Sequence, residues 1–340
     1  MPDAVATLAE FASLLRQRVG AARRVLLTGP SDLDGDSVGA ALALASGIRQ
    51  LSGAEVTVSG RPGTRYDWLD GAAGMVPEIA VTPCHDVVIV VDGDRHRLHA
   101  AVEAAFVAAD ARVILDHHHS TRPRGYELAW VDAQAPSTCE LVLAVLDCWG
   151  FELDVATAEQ LYVGVVFDTG GFRHSNTRPS THLAAARLLA TGLDQSAISL
   201  RVLWERTRAG MGILGEVLSG ARFGQDGRLA WGVVSLAQLR HHNGKYADLE
   251  GIVDLLLLTQ GVELSCLMVE RSPGNVKLSL RSRRWVDVAG LARSLDSSGG
   301  GHRRAAGVVL TCTLDDALQR VPAALEAAVA QVADELATSS

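Results

Sequence analysis

The chain has 340 residues, 48% of them hydrophobic, a formal net charge of -8 and a pI of about 5.8. That length is more than one small domain needs and suits two of ordinary size, each with a buried core. The acidic balance excludes a protein that grips long nucleic acid by bulk charge, so a phosphate-bearing ligand must be met by a local site. Five scattered cysteines (Cys84, Cys139, Cys148, Cys266, Cys312), with no CxxC pair, argue against a disulfide framework or a structural zinc knuckle. Asp3, Glu10 and Arg16 interrupt any signal-peptide apolar run, and Leu255–Leu258 is too short to span a bilayer. The expectation is a soluble cytoplasmic protein.

Helical periodicity opens the chain over Ala4–Val19. Strand Arg24–Thr28, helix Ser37–Leu51 and strand Glu55–Ser59 follow, then strand Asp86–Asp92, helix Ala100–Ala108 and strand Arg112–Leu115. Helix Ser137–Trp149, an apolar segment Ala156–Phe167 of more helical than strand character, and helix Pro179–Leu189 close this half. Alternating β and α predicts a parallel sheet with helices on both faces. Residues 193–220 read as a linker with a connecting helix, dividing a domain of residues 1–192 from one of residues 221–340. The second domain is predicted from strands Arg228–Leu236, Val262–Glu270 and Asn275–Ser282, helix Val286–Leu295, strand Gly307–Cys312 and helix Leu314–Leu336. The turn Arg271-Ser272-Pro273-Gly274 makes a hairpin of the second and third strands, and this half is expected to be a smaller mixed sheet with helices.

Four apolar runs each end in an aspartate. Ile114-Leu115-Asp116-His117-His118-His119 is the most informative, because buried imidazoles need partners. The others precede Asp32-Leu33-Asp34-Gly35-Asp36, Asp92 and Asp168-Thr169-Gly170. Ligands of open α/β sheets bind at the carboxyl ends of strands, so the four runs, read as strand ends, converge on a multinuclear metal site. Carboxylates at alternate positions of an extended loop suit manganese or magnesium, while an acidic N-capping turn is the plainer reading of Asp32, Asp34 and Asp36. Asp92 and Asp168 read equally as helix caps, and His119 as a solvated residue. The spacing around Gly29–Gly39 fits neither a dinucleotide loop nor a P-loop. Later, Ser298-Gly299-Gly300-Gly301-His302-Arg303-Arg304 reads either as a loop whose amides approach a ligand or as a flexible turn. Among the neighbouring arginines, Arg281, inside a strand, is the better phosphate ligand, and Arg283, Arg284, Arg303 and Arg304 read also as a solvated face.

Taken in order, Asp34-Gly35-Asp36, Asp92, Asp116-His117-His118, Asp168-Thr169-Gly170 and Gly299-Gly300-Gly301-His302 resemble the DHH phosphoesterases with a DHH-associated C-terminal domain, in the nanoRNase (oligoribonuclease and pAp phosphatase) branch. Ser137-Thr138-Cys139-Glu140, Phe172-Arg173, Asn176-Thr177 and Arg281-Ser282 add to the likeness, which spans about residues 10 to 312. The resemblance implies two manganese ions, with magnesium as an alternative. Asp92 would bridge them, Asp34 would bind one, and Asp36, His117 and Asp168 the other. His118 would face the scissile phosphate, with Asp116 orienting an imidazole from behind. Arg281 and the Gly299–His302 loop would hold the far end of the substrate across an interdomain cleft. Pro30 stands where many nanoRNase-type members carry a histidine, and Asp32 would take that place as in the D-x-D-x-D run of RecJ-like members.

The implied reaction is two-metal hydrolysis of short oligoribonucleotides, pAp or linear dinucleotides to mononucleotides, by a homodimer that needs no membrane. Two alternatives stand beside it: a RecJ-like single-strand DNA exonuclease, and a degenerate member that binds nucleotides without turnover. Inorganic pyrophosphatases share the first domain but lack the Gly-Gly-Gly-His loop.

Overall fold

The computed structural model describes residues 5–224 and 226–338, with side chains through residue 332; Ala4, the expected start of the first helix, and Asp3 lie outside them. The chain forms two compact units, Met1–Glu205 and Arg206–Ser340. In the first, α1 (Leu8–Ala21), β1 (Arg24–Thr28), α2 (Gly35–Leu51), β2 (Glu55–Val58), α3 (Gly63–Tyr66), β3 (Val87–Val91), α4 (Ala100–Ala108), β4 (Ala111–Asp116) and β5 (Leu128–Val131) are followed by α5 (Thr138–Trp149), α6 (Val155–Asp168), α7 (Pro179–Leu189) and α8 (Gln195–Ser199).

All five strands are parallel, in the order β2-β1-β3-β4-β5. Every residue of Val87–Val91 is buried, as in a strand covered by helices on both faces. Ile89 and Val91 join a core with Phe11, Leu44, Val142 and Leu161, whereas Val88 and Val90 join a second core with Phe106 and Tyr126. In this order the chain leaves β1 toward one edge for β2 and returns to the other side for β3. The carboxyl ends of β1 and β3 therefore diverge at a topological switch point, where doubly wound sheets open a crevice.

Two expectations need correction. The run before Asp168, grouped with the strand ends although Ala156–Phe167 has more helical than strand character, is helix α6 as that character indicates, so three strands and one helix deliver the aspartates. Its length, fourteen residues, suits a helix, and burial nearly all round hides the helical period. Asp36 likewise sits in the first turn of α2 and not on an extended loop. The short edge strand β5, buried only at Leu128, gave no periodic signal.

Helices α2 and α6 touch through glycines. A Cβ on Gly39 would lie 2.2 Å from the Gln160 carbonyl oxygen, and one on Gly164 would lie 2.3 Å from Cys139 Sγ and 2.5 Å from Asp36 Oδ1. This contact sets the first turn of α2 against the start of α5.

The second unit contains α9 (Arg208–Ser219), β6 (Arg222–Phe223), β7 (Leu229–Val234), α10 (Leu236–His241), α11 (Ile252–Leu257), β8 (Leu264–Ser272), β9 (Asn275–Ser282), α12 (Val288–Leu295), β10 (Gly300–His302), β11 (Ala305–Leu310) and α13 (Leu314–Thr338). The sheet runs β10-β11-β9-β8-β7-β6, antiparallel except for the parallel pair β7–β8. Cys266, Met268, Leu278, Leu280 and Val308 face a core with Ala292 and Val321, while Leu267, Val269 and Val234 face one with Ile213 and Leu256. No helix among the described residues is long and apolar enough to cross a membrane.

Gly164→Ala should destabilise the chain by about 1–3 kcal/mol through overpacking, read as a lower urea midpoint with unchanged slope. An unaltered midpoint would mean that α2 and α6 can separate without loss.

Candidate metal centre

Asp34 caps α2: its Oδ1 accepts the Asp36 and Ser37 amides, while Ser37 Oγ accepts the Asp34 amide at 2.8 Å. The capping reading of this aspartate is thus realised, and its other oxygen takes no hydrogen bond among the described residues. Asp36, two residues on, is fully buried. Its Oδ2 accepts the Thr138 amide at 2.6 Å and its Oδ1 the Cys139 amide at 2.9 Å. Both donors belong to the first turn of α5, where unpaired N–H groups and the helix dipole favour an anion.

Asp92 follows β3 with φ +58°, a left-handed backbone at a residue that is 2% exposed. Such conformations cost on the order of 1 kcal/mol and persist where surroundings hold them. Here the Asp92 amide donates to the Leu115 carbonyl, and Asp92 Oδ1 accepts the Thr138 hydroxyl at 3.1 Å. At the end of β4, Asp116 is fully buried and takes the His117 amide at 2.8 Å and His118 Nδ1 at 2.7 Å on Oδ1, with the Thr121 hydroxyl on Oδ2. Burial opposes its charge, but the bond from His118 and the Thr121 hydroxyl hold the Asp116 carboxyl below the usual range.

His117 lies at the centre. Its Nδ1 is 3.2 Å from the Ala135 carbonyl oxygen. Its Nε2 is 3.1 Å from Asp168 Oδ2, 3.5 Å from Asp92 Oδ1 and 3.9 Å from Asp36 Oδ2. Donor atoms of Asp36, His117 and Asp168 all lie within 4.8 Å of one another, as do those of Asp92, His117 and His118. Burial, then repulsion from Asp36, raises both Asp92 and Asp168, the latter to about 7. Burial works against the His117 charge, yet the Asp168 and Asp92 carboxylates push its pKa well above the ordinary value. Crowded carboxylates around one ring nitrogen, held in part by protons, form a donor set that fits a divalent cation, which would displace those protons.

The structure thus gathers Asp36, Asp92, His117, His118 and Asp168, with Asp116 directly behind His118. Asp34 lies alongside, outside both triads. Asp32 and His119 are exposed and join neither. Thr138, Cys139 and Thr121 gained no role from sequence, although Ser-Thr-Cys-Glu was part of the motif. Their contribution is to accept no charge but to donate, which only the fold discloses.

In the second unit, Arg281, Ala305 and His302 are register partners across β9, β11 and β10. Partners in antiparallel strands share a face, so Arg281 and His302 flank the small Ala305, with backbones roughly 9–10 Å apart by strand spacing. Arg281 Nε donates to Asp254 Oδ1 at 3.0 Å. The expected glycine loop is in part the edge strand β10. Gly299 meets the Ala292 carbonyl, and Gly301 has φ +135°, so both are glycine for internal reasons. A Cβ on Gly300 would meet nothing within 4 Å, leaving open space over its backbone.

Residues 24–165 match the model of the DHH family N-terminal domain, and residues 232–334 match the DHHA1 domain. The bifunctional oligoribonuclease and PAP phosphatase NrnA of Thermus thermophilus is 30% identical over 85% of this chain and 85% of its own. The chain belongs to the DHH family. It is a phosphoesterase of that family, with the DHHA1 domain as its second half. Among solved structures, an exopolyphosphatase-related protein from Bacteroides fragilis has a TM-score of 0.86 at 21% identity, covering 96% of this chain and 98% of that one. Exonuclease RecJ bound to manganese has a TM-score of 0.52 at 15% identity, covering 95% and 94%; both share the fold with this DHH chain.

The raised groups fix the pH response of the metal-free protein. Between the ordinary Asp value of 3.8 and about 7, folded Asp168 keeps a proton that the unfolded chain has released, so stability falls as pH rises through that window. His117 adds stability that is complete below 6.5 and is lost as pH rises through its raised folded value. Chelated protein should therefore melt at progressively lower temperature from pH 5 to pH 8, with a shallower slope in Asp168→Asn. A flat profile would remove the electrostatic account.

Proposed function

We propose that this DHH chain hydrolyses short phosphodiesters and terminal phosphates of nucleotides, using two divalent cations, manganese or alternatively magnesium. The substrates are oligoribonucleotides of a few residues, pAp or linear dinucleotides, converted to mononucleotides. The observation that carries the reading is the His117 nitrogen ringed by carboxylates from α2, β3 and α6. Asp36, His117 and Asp168 would hold one cation, Asp34 the other, and Asp92 both; Asp32 would support the Asp34 side from the turn before α2. Bound there, such cations acidify water and offset charge building on phosphorus.

The chain's own residues supply orientation and proton transfer. Asp116 fixes His118 through Nδ1, so the ring exchanges protons with substrate through Nε2 and serves the leaving oxygen as general acid. Asp92 would serve catalysis as a ligand common to both cations. The Thr138 and Cys139 amides hold the Asp36 carboxylate in place. Arg281 and His302 would hold the substrate end that does not react, with the open backbone of Gly300 admitting it and Gly299 and Gly301 shaping the strand. The acidic net charge of -8 favours short substrates over long strands. The relatives' names support the same classes: an oligoribonuclease and PAP phosphatase in Thermus thermophilus, and a cyclic-di-AMP phosphodiesterase in Geobacillus thermodenitrificans that is 25% identical over 92% of this chain and 48% of its own length. All five cysteines are unpaired thiols, in keeping with a reducing cytoplasm. A homodimer completes the proposal, and sedimentation at micromolar concentration would read it.

The test is hydrolysis of a 5′-labelled RNA dinucleotide, pAp and a single-stranded DNA oligomer, with manganese and with chelator. Dinucleotide or pAp turnover should require the cation and fall at least about a hundredfold in Asp92→Ala, since even groups behind metal ligands cost about 10–100-fold. His118→Gln should lower kcat by about 100-fold or more, and Asp116→Asn by about 10–100-fold. Arg281→Ala should raise KM with little change in kcat. Degradation of the DNA alone would assign a RecJ-like exonuclease, and binding without turnover a regulatory member with its first motif broken at Pro30.

A further inference from the structure

A second group of metal-competent side chains lies in the other unit. Glu216 on α9 and the adjacent His241 and His242 at the end of α10 place one donor atom each within 4.8 Å of one another. His242 Nε2 is 2.8 Å from Glu216 Oε1, and the two imidazoles meet edge to face with centroids 4.8 Å apart. The backbone is shaped to allow this. Asn243 takes a left-handed turn at φ +52°, and a Cβ on Gly212, one helical turn before Glu216, would lie 2.4 Å from His242 Nδ1. Gly244 closes the turn onto Ile213 of the same helix. The turn is thereby seated along α9, and the pair is not two long side chains meeting by chance in solvent.

We propose that Glu216, His241 and His242 bind a zinc-type transition-metal ion that fastens the α10 turn to α9. Donor atoms around tetrahedral zinc, with bonds of about 2.0–2.2 Å, are about 3.3–3.6 Å apart, within reach of small side-chain rotations here. Two imidazoles and one carboxylate are a borderline-soft set that selects zinc, nickel or copper over manganese and magnesium. The first centre is richer in carboxylate and has the opposite preference. His241 is exposed and His242 part-buried, which leaves the remaining coordination position to water. The cation would tie residue 216 to residues 241 and 242, and its binding would appear as stability. The proposal does not rest on the nucleotide reading of the first unit.

The experiment titrates zinc, against a chelating dye of known affinity, into tag-free full-length protein stripped of metal. Three proteins are compared: the unmodified chain, Asp36→Asn/Asp168→Asn, and His241→Asn/His242→Asn. The aspartate variant should keep a tight zinc site and a zinc-dependent rise in melting temperature; the histidine variant should bind one zinc fewer than the unmodified chain and lose the share of the rise that this site supplies, each rise being read against the variant's own metal-free melting. Glu216→Gln should weaken that site at least about tenfold. Equal zinc uptake and equal melting shifts in the histidine variant and the unmodified chain would overturn the proposal. So would an aspartate variant with no affinity tighter than millimolar, because all zinc would then belong to the first centre.

Discussion

One buried carboxylate organises the first unit. Asp36 lies in the first turn of α2 and takes both leading amides of α5. A fully buried anion is costly unless donors replace its lost water, and here two backbone N–H groups and a helix dipole do so. The same contact fixes the start of α5, and through it the Thr138 hydroxyl that meets Asp92. The close crossing of α2 and α6 brings Asp168 to the other side of His117. Motifs that are more than a hundred residues apart along the chain are thus brought together by one charge and its donors.

The rest of the centre is arranged around a conflict. Asp92 and Asp168 are pushed upward by burial and by Asp36, and His117 is pushed upward by them. Asp116 goes the other way, because His118 and Thr121 satisfy it. Two classes of carboxylate therefore stand a few ångströms apart: one whose charge is underpaid by its surroundings and one whose charge is fully met. The first class suits a cation, the second suits positioning an imidazole. Neighbouring residues of the Asp116-His117-His118 run fall into different roles for this reason.

The second unit answers with different chemistry. Its sheet places an arginine and a histidine on one face beside a small alanine and an unencumbered glycine. Between α9 and the end of α10 it gathers a carboxylate and two imidazoles. Neither arrangement repeats the carboxylate crowding of the first unit.

Much of this was legible in sequence, because period and composition are local. The continuous Val87–Val91 run announced a parallel strand buried on both faces, and Pro179 announced the start of α7. Ordered aspartates and histidines announced the family, since their chemistry is costly to keep without use. The helix ending at Asp168 was ambiguous because burial on all sides erases amphipathic period, and β10 was hidden by glycines that carry no side-chain pattern. Which aspartate caps a helix, which is relieved by a helix N-terminus and which is left with an unmet charge could be decided only by tertiary structure. Those differences depend on donors contributed by distant residues, and on the dielectric that burial creates; neither is a property of any one segment of the chain.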